Sequence, residues 1–207
     1  MLEEKIFQAI DAGANRQLLE RKLLNAIDAG EEDVVEQIIA AGVKVDFDFN
    51  SPICRAALAG HVEIVHRLHV AGCRIDIPGV GSKVLKHAVW GNRPQVIDYL
   101  LGHGVRLHHD GKALLKIAAR EGSADAFEKL ADFGARLDDL EEDILEAAEK
   151  GGSERILRRL LESNESLRTL ALTATSMPLS QSIAAQIKLS LEVCKGGTNA
   201  RIPRRQT

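Results

Sequence analysis

The sequence predicts an all-α solenoid of stacked helical hairpins joined by short inter-repeat loops. Three observations carry that expectation: two glycine series at constant phase, helical apolar spacing between them, and a shortage of aromatic residues. The first series is Gly30, Gly60, Gly91, Gly122 and Gly152, separated by 30, 31, 31 and 30 residues. The second is Gly13, Gly42, Gly72, Gly104 and Gly134, separated by 29, 30, 32 and 30. A fixed period of this size marks a repeat array in which each unit buries its apolar face against its neighbours. Aromatic residues are 3% of the 207, so the core must be built from Leu, Ile, Val and Ala. Thin layers of such residues suit closely approaching helices.

Each unit resolves into two helices. Short alanine-bearing segments precede the first glycines: 23–29, 52–59, 84–90, 114–121 and 144–150. Longer helices follow them. Ile64, Val65 and Leu68 lie on one helical face, and the matching places hold Val34, Val35 and Ile38, then Val96, Ile97 and Leu100. Ala126, Phe127 and Leu130 continue the pattern, and Ile156, Leu157 and Leu160 end it. The glycines read as helix terminators that adopt a left-handed backbone without steric cost. The third unit carries one extra residue, and Pro94 falls in the first turn of its second helix, where proline is tolerated.

The segment Ser51-Pro52-Ile53-Cys54-Arg55-Ala56-Ala57-Leu58-Ala59-Gly60-His61-Val62-Glu63-Ile64-Val65, closed by Ala71-Gly72-Cys73, resembles an ankyrin repeat. That family's pattern is T-P-L-H-x-A-A-x-x-G-H-x-E-I-V followed by L-L-x-x-G-A. Pro52, the Ala56-Ala57 pair, Gly60, His61, Glu63, Ile64 and Val65 match outright. Ser51 stands for the threonine, Ile53 for the leucine and Cys54 for the histidine. The other units are more degenerate but hold the frame from about residue 3 to about residue 164. The repeats are shortened to about 30 residues against the family's 33, and the loss falls between units. The β-hairpin fingers of the family should therefore be stunted, and recognition through finger tips is not expected.

The implied map is a single ankyrin-like domain over residues 1–194. An N-terminal capping helix spans 3–15, repeats cover about 21–50, 51–81, 82–112, 113–142 and 143–164, and capping helices fill 165–194. The basic tail, 195–207, should be disordered.

Composition narrows the function classes. A net charge of −3 supplies no global basic field, which argues against nucleic acid and anionic membrane as partners. No apolar run approaches a membrane span, and the N-terminus has no signal-peptide pattern. Three cysteines without a CxxC pair fit a reducing compartment, so a cytoplasmic, monomeric protein is expected.

Candidate chemistry is sparse. His66, His69 and Cys73 share a helix edge but fall short of the four ligands of a closed zinc site. Pro78-Gly79-Val80-Gly81-Ser82-Lys83 lacks the order of a phosphate loop and follows no strand. His108-His109-Asp110 lies between units with no nucleophile placed near it. The carboxylates Asp138, Asp139, Glu141, Glu142 and Asp143 read as a solvated loop entering a helix N-terminus. No enzyme, metal, cofactor or small-molecule substrate is expected.

What the resemblance implies instead is a protein–protein interaction module, an adaptor or scaffold that binds through its concave helix face. The alternative is a stoichiometric inhibitor, antitoxin or secreted effector that blocks one target enzyme. In the family, variable positions just before the first glycine meet partners. By register these include Asp28, Leu58, Val89, Trp90, Arg120, Glu121 and Lys150. Trp90, the only tryptophan, is the strongest anchor candidate, because buried aromatic side chains dominate interfaces. Lys83, Lys86, Lys112, Lys116 and Arg120 flank it, whereas Glu141, Glu142, Glu146 and Glu149 mark the fifth unit.

Overall fold

The computed structural model describes residues 16–107, 111–135 and 142–163. Among them are ten helices and no strand: α1 (Arg16–Ala29), α2 (Glu32–Ala40), α3 (Phe47–Ala59), α4 (Val62–Val70), α5 (Pro78–Trp90), α6 (Pro94–Gly102), α7 (Gly111–Arg120), α8 (Ala124–Asp132), α9 (Glu142–Gly151) and α10 (Glu154–Ser163). They pair into five hairpins stacked side by side. First helices pack on first helices (α1 on α3, α3 on α5, α7 on α9), and second helices on second helices. The capping helices expected at 3–15 and 165–194, and the basic tail, lie outside the described residues.

Each first helix ends the way its sequence demands. Gly30 turns at φ +72°, and the Glu31 amide reaches back to the Ala26 carbonyl at 2.9 Å. The same six-residue closure joins Ser123 to Ala118 at 2.8 Å across Gly122. A left-handed residue after the helix thus satisfies carbonyls that would otherwise be orphaned. A left-handed residue follows the first helix in every unit, but in the third it is Asn92 at φ +51°, while Gly91 stays right-handed at φ −77°. The left-handed series is therefore Gly30, Gly60, Asn92, Gly122 and Gly152, spaced 30, 32, 30 and 30, so this unit carries two extra residues and both precede its turn.

The core is a set of columns running through the stack. Ala26, Ala56, Ala88, Ala118 and Ala148 are buried where first helices cross closely. Behind them lie Val35, Val65, Ile97, Phe127 and Leu157, and then Ile38, Leu68, Leu100, Leu130 and Leu160. Each such side chain contributes about 1.5–3 kcal/mol by leaving water. Phe127 is the only fully buried aromatic among the described residues, in keeping with a core of aliphatic layers.

Connections between units are short and strandless where described. They still tie neighbours together: Val45, Ile75 and Val105 turn into the core, and the Cys73 thiol donates to the Val45 carbonyl at 3.4 Å. Before α3 becomes regular, Asp48, Phe49 and Asn50 pass in succession through left-handed φ of 47°, 55° and 63°. This turn holds the Phe49 side chain 84% exposed.

The outer surface is laced by charge pairs from unit to unit. Arg67 pairs with Glu36, Lys129 with Asp98 at 2.8 Å, and Arg159 with Asp132 at 3.2 Å. Arg155 bridges both Asp125 and Glu128 at 2.6 Å, and these two carboxylates hold its guanidinium firmly in the charged form.

Candidate functional site

The left-handed residues fix a common register for the predicted contact positions. Two residues before each of them stand Asp28, Leu58, Trp90, Arg120 and Lys150, and all five are exposed. They form one column across the first helices, and it reads acid, aliphatic, aromatic, base, base. Leu58 is 42% exposed and Trp90 40%, whereas most other Leu, Ile and Val side chains of the first helices are covered.

Val89 is a correction. It is completely buried and aligns with Ile27, Ala57 and Ala119 in the core. The reason is the register: placing the turn at Gly91 rather than Asn92 shifts the predicted pair by one residue toward the helix interior. Glu121 is exposed one position after the column, where it holds the Arg120 guanidinium at 3.0 Å. Asp28 is likewise engaged, receiving the Arg55 Nε–H at 2.9 Å from the next unit.

Trp90 has a defined setting. The Lys86 ammonium lies 4.9 Å from its ring centroid, and His87 meets it edge-on at 5.4 Å. Cation–π attraction holds the lysine over the ring while leaving its charge available to solvent. Below it, Gly91 lies so close to the preceding unit that an added Cβ would fall 2.2 Å from the Leu58 carbonyl oxygen. That carbonyl accepts the Arg93 Nε–H at 3.1 Å. Leu58 and Trp90 are thus side by side on backbones locked together, which makes a preformed apolar step.

The other candidate sites resolve differently. Cys73 is buried, and loss of hydration pushes its thiol up to about 12. His66 and His69 turn instead toward Tyr99 of the next unit, with Nδ1 atoms 3.2 and 2.8 Å from its hydroxyl. The three are therefore not brought together, and no group of three potential ligands is assembled among the described residues. Pro78 to Lys83 forms the first turns of α5, where Gly81 permits close packing: a Cβ there would meet the Ile75 carbonyl at 2.4 Å. A half-open cleft of about 360 Å³ lies beside it, lined by Ile75, Asp76, Pro78, Gly81, Gly104, Val105 and Arg106. Asp76 in that cleft is held ionised by Arg74, whose guanidinium reaches it at 2.8 Å. His108, His109, Asp110, Asp138, Asp139 and Glu141 lie outside the described residues, as do the side chains of Glu142, Asp143, Glu146 and Glu149.

The sequence reading missed the Tyr99 cluster. His103 stacks on Tyr99 at 4.0 Å between ring centroids, and His69 meets His103 edge-on at 5.7 Å. The available signal was positional: His66 and Tyr99 occupy the places where other units carry Glu36 with Arg67 and Asp98 with Lys129. No helix among the described residues is long and apolar enough to cross a membrane.

No protein-family model matches the sequence, and no curated protein matches it. Among solved structures, the chain is similar to the ankyrin repeat domain of human ASB11. The identity is 19% over 89% of this chain and 86% of that one, with a TM-score of 0.63. Helical hairpins closed by left-handed glycines, stacked at a period near 30 residues, and this likeness agree: the chain adopts the ankyrin-repeat fold.

Proposed function

We infer that this chain is a protein-binding module that presents the exposed column of its first helices to a partner and performs no reaction of its own. The observation that carries this is the pairing of Leu58 and Trp90, large apolar side chains left in solvent at the same register of adjacent units. A surface tryptophan loses little conformational entropy when covered and is enriched at interface hot spots, and the exposed leucine beside it adds apolar area to bury. The rigid stack supports the same reading, because a preformed surface pays no ordering cost on association. Asp28, Arg120, Glu121 and Lys150 would lie at the margins, where charges set orientation and encounter rate more than affinity.

The test compares proteins retained by wild-type chain, by Leu58→Ala with Trp90→Ala, and by Val70→Ala, which alters an exposed side chain of a second helix. The double variant should lose the wild-type partner by about tenfold or more while Val70→Ala keeps it, since hot-spot truncations cost about 2 kcal/mol each. Equal retention by all three would overturn the assignment.

A further inference from the structure

Fixed charges join the second helices of neighbouring units at every described seam but one. Glu36 meets Arg67 between α2 and α4, Asp98 meets Lys129 between α6 and α8, and Asp132 meets Arg159 between α8 and α10. Between α4 and α6 no ion pair occurs among the described residues. Rings fill that seam instead: His66 and His69 of α4 converge on the Tyr99 hydroxyl of α6, and His103, just past α6, stacks on the phenol.

The hydrogen bonds of this cluster close when the rings are neutral. Nδ1 of His69 accepts the phenol proton at 2.8 Å, and Nδ1–H of His66 donates to the phenol oxygen at 3.2 Å. His103 donates through Nδ1 to the Tyr99 carbonyl at 2.7 Å. A proton added to His69 removes the acceptor, because both ring nitrogens then carry hydrogens. It also sets a positive charge 5.7 Å from the His103 ring centroid.

The surrounding charges are engaged elsewhere. On α4, Glu63 lies beside Arg67, which also holds Glu36 of α2. Asp76, in the connection after α4, is held by Arg74, and Asp98 of α6 by Lys129 of α8. Asp125, Glu128 and Asp132 of α8 go to Arg155 and Arg159. Glu32 and Asp33 stand in the first turn of α2, Asp48 in the first turn of α3, and Arg55 of α3 pairs with Asp28. From α5, Lys83, Lys86 and His87 reach the Phe49 carbonyl, the Trp90 ring and the Lys83 carbonyl.

The same joint carries the docking step. Leu58 lies at the end of α3 and Trp90 at the end of α5, the first helices of the two units whose second helices are α4 and α6. On that side Gly91 and Arg93 sit against the Leu58 carbonyl and act as a pivot. Loosening the seam behind the pivot changes the angle at which Leu58 and Trp90 are presented.

We propose that the Tyr99 cluster is a pH-sensitive latch on this joint: protonating its histidines loosens α4 from α6 and weakens binding at Leu58 and Trp90. The proposal rests on the protein-binding role inferred above and adds its regulation. Imidazole gains its charge between about pH 8 and pH 5, whereas the carboxylates of the other seams stay ionised to below about pH 5. Acid therefore acts on this seam first. The sign agrees with the surroundings of His69, where burial and then His103 and His66 favour the neutral ring, with Asp76 opposing. The closed seam binds protons less readily than the open one, so lowering pH favours opening.

The experiment compares the full-length wild-type chain with His66→Gln plus His69→Gln, and with His69→Gln alone as the milder variant should the double one not fold. Amide hydrogen exchange of α4 and α6 is measured at pH 7.5 and 5.5, corrected for intrinsic rates and referred to α8 and α10. Binding is measured with a histidine-free peptide, selected from a displayed library at pH 7.5 and dependent on Leu58 and Trp90. In wild type, acid should lower protection of α4 and α6 and weaken the peptide by about fivefold, the lower end of ordinary coupling between sites. Both effects should shrink or vanish in the variants. Equal acid responses in wild type and variants, or looser α4 and α6 with unchanged peptide affinity, would overturn the latch and leave the binding module standing. A library that yields no peptide dependent on Leu58 and Trp90 would overturn the docking step and the latch's control of it together.

Discussion

The Asn92 side-chain carbonyl accepts the backbone N–H of Ala126 at 3.0 Å, so the turn of the third unit caps the second helix of the fourth. Asn92 does this from a left-handed backbone, φ +51°, which asparagine tolerates better than most residues. Two roles meet in one residue. Asn92→Ala loses both and should cost about 2–3 kcal/mol, whereas Asn92→Gly loses only the cap and should cost about 1 kcal/mol. Urea unfolding of the two variants checks the order. Equal losses would show that the cap alone matters.

Gly91 and Gly134 look alike in the sequence but are required for different reasons. An added Cβ at Gly91 would press on the Leu58 carbonyl oxygen at 2.2 Å, a backbone atom that cannot step aside. At Gly134 the φ is +90° and nothing lies within 4 Å. Gly134→Ala should cost about 1 kcal/mol, the left-handed penalty alone. Gly91→Ala should cost about 2–3 kcal/mol, as forced overpacking does. Thermal unfolding of both variants tests the contrast.

The Tyr99 hydroxyl is shared by two histidines, and only one can receive its proton. His69 is closer, and burial first, then the neighbouring His103 and His66, lower its pKa; Asp76 opposes them. A histidine whose folded pKa is depressed takes up its proton more readily when the chain unfolds. Stability should therefore be full above about pH 6.5 and decline as pH falls through the unfolded value toward the folded one. The urea midpoint measured from pH 5 to 8 should show that decline, and His69→Gln should flatten it. Burial first, and then the Glu63 carboxylate, raise the Tyr99 phenol above its ordinary value, so it keeps its proton throughout that range. An unchanged slope in the variant would remove His69 as the cause.

Cys54 and Cys73 are both buried, and desolvation raises both thiols, that of Cys73 to about 12. Thiolate is the reactive species, so neither should be alkylated by a maleimide in the folded chain at neutral pH. In a Cys194→Ser background, labelling should appear only with unfolding. Rapid labelling under native conditions would contradict the burial.

Much of this architecture was legible because period and helical spacing are properties of the chain itself. The columns through Ile64, Val65 and Leu68 needed no structure. The third unit was misread by one residue because glycine was taken as the mark of the turn, and here asparagine fills the left-handed position beside a glycine kept for close approach. That step put Val89 on the surface when its place is the core. Trp90 and Leu58 survived the shift, since the exposed column lies at either reading of the turn within one residue. The Tyr99 cluster joins residues 30 or more apart, and only the stacking of α4 on α6 brings them together.

Because Trp90 is the only tryptophan, its emission reports on the central claim without a label. The partner retained by wild-type chain, itself chosen or engineered to lack tryptophan, is titrated into it while emission and acrylamide quenching are recorded. If the first-helix column is the docking face, emission shifts to shorter wavelength and quenching falls in step with binding measured by sedimentation. Saturated binding with Trp90 emission and quenching unchanged would contradict the account.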